Sequence, residues 1–361
     1  EDAIKKVEAE PFKRRTISFY RYRRIGNPEQ MRDELWRAFE AMGVLGRIYL
    51  AKEGVNAQLS IPEHNVDQLK RYLNHFDEFK KMPFKFGLEE SNISFWKLTI
   101  KVREQIVADG LPDEAYDLEN IGRHLTAEEW NEAADNGAII VDMRNAYESN
   151  IGHFDGAITP KVDTFKEELP KVLEELKGKE DQKILLYCTG GVRCEKTSAF
   201  LKHHGFEDVN QLHGGIIEYN HQVKKQKLEN KYKGMNYVFD GREVEKVTDD
   251  KLADCAAEGC EEKTNLIMNC GNIQCHKKIT LCEECIERLE GCCDAGCMAK
   301  MHEIEAAKVR NKFILDVVRY VTLGLAILAL IMLVIRPMVQ RLTSKPEDLD
   351  LLMGMPATIG E

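Results

Sequence analysis

The cysteine at position 188 stands within YCTGGVRCEKTSA, residues 187–199, and its flanks decide what chemistry it can do. Upstream, DQKILLYC is an apolar run of the kind that forms a buried central strand. Downstream, EKTSAFLKHHG has apolar residues at helical spacing and a glycine where a helix stops. The loop Thr189, Gly190, Gly191 and Val192 is therefore expected between a strand end and a helix N-terminus, where backbone N–H groups converge on whatever the loop encloses. A thiolate at Cys188 would be stabilised by the helix dipole and by Arg193, so its pKa is predicted to fall below the free value. These residues describe a nucleophile, with Cys188 and Arg193 as catalytic residues and the loop as an anion-binding ring. Cys194 has two readings. It is a resolving thiol able to close a disulfide with Cys188 or accept sulfur from it, or a small side chain packed in the first helical turn.

Loop length separates two chemistries. Cysteine-class phosphatases place five residues between cysteine and arginine, whereas here only four lie between Cys188 and Arg193. The tighter ring suits a sulfur carried on the cysteine better than a bound phosphate, so sulfur transfer is favoured over phosphate hydrolysis.

Of the eleven cysteines, the nine outside this loop lie within residues 255–297. Their spacings are Cys255-x4-Cys260, Cys270-x4-Cys275, Cys282-x2-Cys285 and Cys292-Cys293-x3-Cys297. Two thiolates on one turn fit adjacent corners of a tetrahedron, and nine cysteines fill two four-thiolate sites with one spare. His276 or His302 can substitute, and an iron–sulfur cluster would satisfy the same soft ligands. One or two structural zinc ions are the expectation, because the segment has too little apolar periodicity to fold on a core of its own.

The totals bound the rest. A chain of 361 residues accommodates two or three domains, and a net charge of −10 argues against coating nucleic acid by bulk charge while leaving room for local basic patches. The chain begins with Glu rather than Met, which reads as processing or truncation, and EDAIKKVEAEPFKRR has no apolar signal region. A reducing compartment is expected, where clustered cysteines bind metal or do chemistry. No nucleotide or flavin fingerprint is visible.

These residues need elements to position them. Residues 1–103 read as an α+β unit: RTISFYRY, the helix MRDELWRAFEAMG, the strands GRIYLA and NAQLSIP, the helix VDQLKRYLNHF and a closing strand ISFWKLTIKV. The order βαββαβ is ferredoxin-like. A polar linker is expected over 104–122. Over 123–234, strands such as AIIVDMRN alternate with helices such as HLTAEEWNEAA, which implies an open α/β sheet. The cysteine-rich segment occupies 235–302. An apolar helix at 313–339 contains sixteen uncharged, mostly apolar residues from 320 to 335 and reads as a membrane span, or alternatively as a buried or oligomer helix. Residues 340–361 read as a polar tail.

The middle unit resembles a rhodanese domain, on CTGGVRCEK, VDMRNAYESNIGHFDGA and FEDVNQLHGGIIEY. The resemblance implies a persulfide on Cys188 and roles for Asp142 and Arg144 that brace the site rather than react. Adding IVADG, YLAKEGVNAQLSIP, SFWKL and the cysteine-rich end, residues 15–299 resemble the bacterial rhodanese-domain-containing tRNA uridine 5-hydroxylase family. That implies oxygen-dependent 5-hydroxylation of the wobble uridine, molecular oxygen as co-substrate, tRNA as partner and Cys188 as the active residue. The alternative is a sulfurtransferase passing persulfide sulfur from Cys188 to an acceptor. A third reading, a membrane-tethered binding module sensing sulfur, is disfavoured by the intact Cys188 and Arg193.

For RNA, KRRTISFYRYRR offers Arg14, Arg15, Arg21, Arg23 and Arg24 to phosphates and Tyr20 or Tyr22 to bases, unless the aromatics are core and the arginines merely solvated. KKQKLENKYKGMNY, residues 224–237, is a second basic stretch. The implied family is soluble with a basic tail, and this chain departs from it. From about Val318 its end is similar to the membrane helix of a flagellar MS-ring protein. Cytoplasmic catalytic domains tethered to the inner membrane are therefore expected. The oligomeric state is not legible.

Overall fold

Alternation in RTISFYRY separates two faces of one strand, and the computed structural model, which describes residues 2–88, 94–112 and 115–343, shows what covers each. A short helix α1 (Asp2–Glu8) precedes β1 (Arg14–Tyr22), whose Ile17 and Phe19 turn into an apolar core. The helix α2 (Pro28–Ala41) is capped by Asn27, whose side chain accepts the Gln30 N–H at 3.0 Å, and it buries Met31, Leu35 and Phe39 in that core. The strands β2 (Leu45–Ala51) and β3 (Gly54–Pro62) add Ile48, Leu50, Ala57 and Leu59, and α3 (Val66–Leu73) adds Leu69 and Leu73.

The sheet order is β4-β1-β3-β2-β5, with β4 (Lys85–Phe86) antiparallel to β1 and β5 (Leu98–Val102) parallel to β2. The ferredoxin-like order is present, but ISFWKLTIKV does not close it. That stretch supplies a fifth strand on the far edge, and the place beside β1 is taken by the two-residue β4. A strand that short has no alternation to read.

The second domain runs β6 (Arg123–Leu125), α4 (Ala127–Asp135), β7 (Ile139–Asp142), α5 (Ala146–Ser149), β8 (Gly152–Phe154), α6 (Phe165–Glu175), β9 (Ile184–Tyr187), α7 (Val192–His203), β10 (Val209–Leu212) and α8 (Gly215–Gln226). Its four-stranded sheet, ordered β6-β10-β9-β7, is wholly parallel, and all four residues of the inner strand β9 are buried. Cys188 follows β9 directly.

Residues 104–122 do more than link. Ile106, Asp109 and Tyr116 are buried, and the fully buried Lys196 of α7 pairs with Glu53 at 2.9 Å and Asp109 at 3.2 Å. This ties the reactive-loop helix to the β2–β3 turn of the first domain. Leaving either carboxylate unpaired would cost about 3–5 kcal/mol.

The third segment begins with β11 (Tyr232–Tyr237), which pairs with β8 and with β12 (Val244–Lys246). Two small hairpins follow, β13 (Ala253–Asp254) with β14 (Lys263–Thr264) and β15 (Ile267–Asn269) with β16 (Lys278–Thr280), then helix α9 (Glu283–Arg288). One apolar cluster joins Tyr237, Ala253 and Ile267 of this segment to Ile151 of the second domain.

The chain divides into two units, one containing everything up to Cys270 together with His276–Asp294, the other containing Gly271–Cys275 and the chain from Ala295. In the second, α10 (Ala295–Leu330) passes through a π-helical turn, Ile331–Ile335, into α11 (Arg336–Thr343). Pro337 explains the turn, because its ring displaces a carbonyl one turn back and its missing N–H breaks the α-helical ladder. The span Ala295–Gln340 is long and apolar enough to cross a membrane, with a mean hydropathy of 2.4 over its most apolar window. Within it the Thr322 hydroxyl donates to the Val318 carbonyl at 2.9 Å, which hides the polar group against the helix. The expected polar tail lies, from residue 344 onward, outside the described residues.

Candidate active site

Cys188 sits where β9 ends and α7 begins, and its sulfur is ringed by donors. The Gly191 N–H donates to Sγ at 3.1 Å, and the Arg193 N–H and the Cys194 thiol donate to it as well. Gly191 is left-handed (φ 98°), and a Cβ there would lie 2.8 Å from the Tyr20 hydroxyl, so only glycine forms this turn beneath the first domain. Gly215 is equally constrained, with φ 69° and an imagined Cβ 2.5 Å from the Cys188 carbonyl.

Burial pushes the Cys188 thiol up, but the Cys194 hydrogen bond, the Arg193 charge and the two amides outweigh it and bring the pKa from 9.0 down to about 5. Burial and its bond to Cys188 hold Cys194 well above the ordinary thiol range, so Cys194 stays protonated as the donor. Alkylation of Cys188 by iodoacetamide, followed by mass spectrometry of its peptide, should rise to half its plateau near pH 5 and stay flat through pH 8. A midpoint near 9 would mean that the ring does not act on the sulfur. Because the folded pKa lies below the unfolded one, the thiolate's contribution to stability is complete above about pH 9 and is lost as pH falls towards 5.

Arg193 is held in place from a distance. Its guanidinium makes a two-pronged bond to Glu148, at 2.7 and 2.8 Å, and Glu148 is fully buried. Glu148 also accepts the Asn145 N–H at 3.1 Å, the carboxylate half of a capping box on α5, and the Thr189 hydroxyl lies 3.4 Å away. Sequence reasoning missed Glu148 as a site residue; the signal available was Asn145-x-x-Glu148, a capping box ahead of a short helix. Asp142 and Arg144 form a second buried pair, with contacts of 2.7 and 2.8 Å, and Tyr187 donates to Asp142 at 2.6 Å. Neither lines the cavity described next, which supports a bracing role. Glu168 on α6 is also buried, and burial holds its carboxyl well above the usual range despite the Arg193 charge.

Above Cys188 lies a cavity of about 320 Å³ with walls from three parts of the chain. The face of the first sheet turned away from its own helices contributes Tyr20, Arg47, Tyr49, Asn56 and Gln58, joined by Ile106, Val107 and Ala108. The loop contributes Cys188, Thr189, Gly190, Val192 and Arg193, and the stretch after β11 contributes Phe239, Asp240 and Arg242. Lys85 of β4 also lines it. Burial pulls the Lys85 ammonium down to about 8, against the pull of Cys188, Glu195 and Glu218, and Nζ stands 4.1 Å from the Tyr20 ring centroid.

The arginines of the first strand separate. Arg14 is only 2% exposed, with its guanidinium on Glu10 and on the carbonyls of Gly43 and Ser60, so it has no surface for a phosphate. Arg21 donates to the carbonyls of Lys80 and Lys81, and Arg15 reaches Glu63 at 3.2 Å. Arg23 and Arg24 are exposed. Tyr20 donates to Glu195 at 2.8 Å and Tyr22 to the Val192 carbonyl at 3.1 Å, so both aromatics bind the second domain rather than offering open stacking faces. In the second basic stretch, Lys231 and Lys233 pair with Asp135 and Asp155.

Four cysteines converge in the third segment: the sulfurs of Cys255, Cys260, Cys282 and Cys285 all lie within 4.8 Å of one another. Cys260 and Cys282 are 3.8 Å apart, the edge of a tetrahedron with metal–sulfur bonds of about 2.3 Å. The Cys282 N–H donates to Cys255 at 3.4 Å and Arg288 to Cys285 at 3.3 Å, the outer bonds a tetrathiolate centre needs. This set fits a four-coordinate soft metal. Cys270, Cys292 and Cys293 belong to the same unit, while Cys275 and Cys297 belong to the second.

A parallel sheet with a cysteine at the strand-to-helix loop, set against a ferredoxin-like sheet and a thiolate cluster, defines a three-part rhodanese-type protein. The chain matches the UPF0176 acylphosphatase like domain over residues 14–106, the rhodanese-like domain over 126–222 and the rhodanase C-terminal family over 233–298. A protein of Leptospira interrogans named tRNA uridine(34) hydroxylase is 52% identical over 299 residues, covering 82% of this chain and 81% of that one. Proteins of the same name from Escherichia fergusonii and Cronobacter sakazakii are 44% and 43% identical, covering 82% and 85% of this chain and 85% and 87% of their own. The chain belongs to the tRNA uridine(34) hydroxylase family.

Proposed function

We propose that this chain hydroxylates C5 of uridine 34 in tRNA, with Cys188 as the reacting residue. The observation that carries the reading is the cavity over Cys188, which has room for a nucleoside and a mostly apolar lining into which Asn56, Gln58, Lys85, Arg193 and Arg242 set polar groups. An enzyme acting on a base must take it out of the stack into such a pocket. An open loop would suffice for a sulfurtransferase serving a small anion.

In this reading the thiolate of Cys188 adds to C6 of the uracil, and C5 becomes the carbon of an enolate. C5 takes one oxygen atom from dioxygen, and two electrons from an external reductant with two protons carry the other atom away as water. Loss of the C5 proton expels Cys188 and leaves 5-hydroxyuridine. The ammonium of Lys85, on the same cavity wall, supplies positive charge for the enolate. Glu148 positions Arg193, Cys194 donates to the thiolate, and Asp142 with Arg144 braces the strand end.

Cys255, Cys260, Cys282 and Cys285 hold a structural zinc ion, which would fix the hairpins and α9 around the end of β11. Arg15, Arg23 and Arg24 remain as phosphate contacts. The apolar helix anchors the enzyme to the inner membrane with its catalytic domains in the cytoplasm, where tRNA is.

Nucleoside mass spectrometry tests the function. A strain lacking this chain should lose 5-hydroxyuridine and its derivatives from tRNA and regain them on expression of the wild type. Unchanged 5-hydroxyuridine with a fall in 2-thiouridine would identify a sulfur donor instead.

A further inference from the structure

A loop ahead of β5 is held firmly and displays an indole. Ser94 is buried, its hydroxyl is hydrogen-bonded to Thr16 of β1, and its carbonyl accepts the Gly241 N–H at 2.8 Å. Three residues on, the Lys97 carbonyl accepts the Gly46 N–H at 2.9 Å. Between these anchors Phe95 is buried, whereas Trp96 is 41% exposed. The pinned backbone therefore holds a half-exposed indole in a fixed place, which lowers the ordering cost of anything that stacks on it.

Trp96 lines a groove of about 460 Å³ that shares Arg47, Phe239 and Asp240 with the cavity over Cys188. Phe239 is the partition, and its ring lies 5.8 Å from the Arg193 guanidinium. The groove's carboxylates are neutralised, Asp240 by Arg242 at 2.6 Å and Glu243 by Lys278 at 2.9 Å. Its cations are not: neither Arg47 nor Lys97 is ion-paired among the described residues. An aromatic face, two unpaired cations and a wall shared with a base-sized cavity match the chemistry of single-stranded RNA.

We infer that this groove is a second nucleobase subsite, in which the base next to the reacting uridine stacks on Trp96 while Arg47 and Lys97 hold the intervening phosphate. The inference rests on the function proposed above and adds the path of the strand. RNA enters over the β2–β5 edge and not along the buried face of β1.

The test uses the full chain and a labelled anticodon stem-loop RNA. Trp96→Ala should weaken binding about tenfold to a hundredfold, the range for one lost base–aromatic stack. The loss should fall on KM rather than kcat, and Trp96→Phe should recover most of it. Iodoacetamide reactivity of Cys188 should match the wild type, which reports an intact fold. In a Trp36→Phe background, where the fully buried Trp130 is the other indole left, binding should quench the solvent-exposed Trp96 part of the emission. If Trp96→Ala binds as tightly as a wild type that hydroxylates the RNA normally, the subsite is wrong and the function stands. A wild type that fails to bind the stem-loop overturns both, and unaltered binding with capture of a second copy or a peptide in the groove assigns it to protein.

Discussion

Cys188→Ser abolishes 5-hydroxyuridine formation, with the initial rate on purified tRNA falling by about 10³-fold or more, the scale seen when a nucleophile is removed from a working site. Serine nearly matches cysteine in shape, and the Gly191 amide and Cys194 donor remain, so the fold is kept, while the melting temperature at neutral pH falls by the thiolate's lost contribution and the difference from wild type narrows as pH approaches 5. What changes is ionisation. The ring that brings a thiol from 9.0 to about 5 does nothing comparable for an alcohol, whose starting point is far higher. Cys194→Ala separates the two roles open to that residue. As a donor only, its loss raises the Cys188 alkylation midpoint and leaves measurable turnover; as an obligatory resolving thiol, its loss eliminates multiple turnovers while sparing the first. Retention of a tenth of wild-type activity by Cys188→Ser would remove the thiolate from the reaction.

Cys282→Ser loses one equivalent of zinc, measured by elemental mass spectrometry, and unfolds the segment from β13 to α9. Structural zinc contributes on the order of 10–16 kcal/mol in small domains that have little else, and the apolar cluster here cannot replace that. Hydrogen exchange should show protection lost over the two hairpins while β9 and α7 keep theirs. Activity should fall too, because Phe239, Asp240 and Arg242, on the approach to this segment, wall the cavity. A chelator should reproduce the effect in the wild type. Full zinc content in Cys282→Ser would show that the four sulfurs do not share an ion.

What could be read without coordinates was what is local. The run DQKILLYC, a glycine turn and a helix follow one another in the chain, so the strand–loop–helix around Cys188 was legible with its electrostatic consequence. Cys255, Cys260, Cys282 and Cys285 stood out by type as candidates for a metal, but the convergence of these four was not legible, because spacing does not say which hairpins stack. Partners distant in sequence were not legible either. Glu148 meets Arg193 across forty-five residues, and Lys196 meets Glu53 across a domain boundary. The arginines of β1 illustrate the limit best. Arg14 and Arg24 look alike in KRRTISFYRYRR, yet one is buried under Glu10 and the other stands in solvent. Alternation assigned the strand but could not say that its polar face would meet a second domain.

The walls of the cavity have a consequence for the chain as it is being made. The reactive loop ends at Arg193, but the stretch that closes over it begins only at Val238. At ~5–20 residues per second, ribosomes need roughly 2–9 s to translate the interval between them. During that time the nascent polypeptide can hold an activated sulfur in a cavity that still lacks its third wall, more open to small oxidants than in the finished chain. Selectivity for a base is the last property the newborn enzyme acquires, and a fragment ending before Val238 would be a reactive thiol without a substrate.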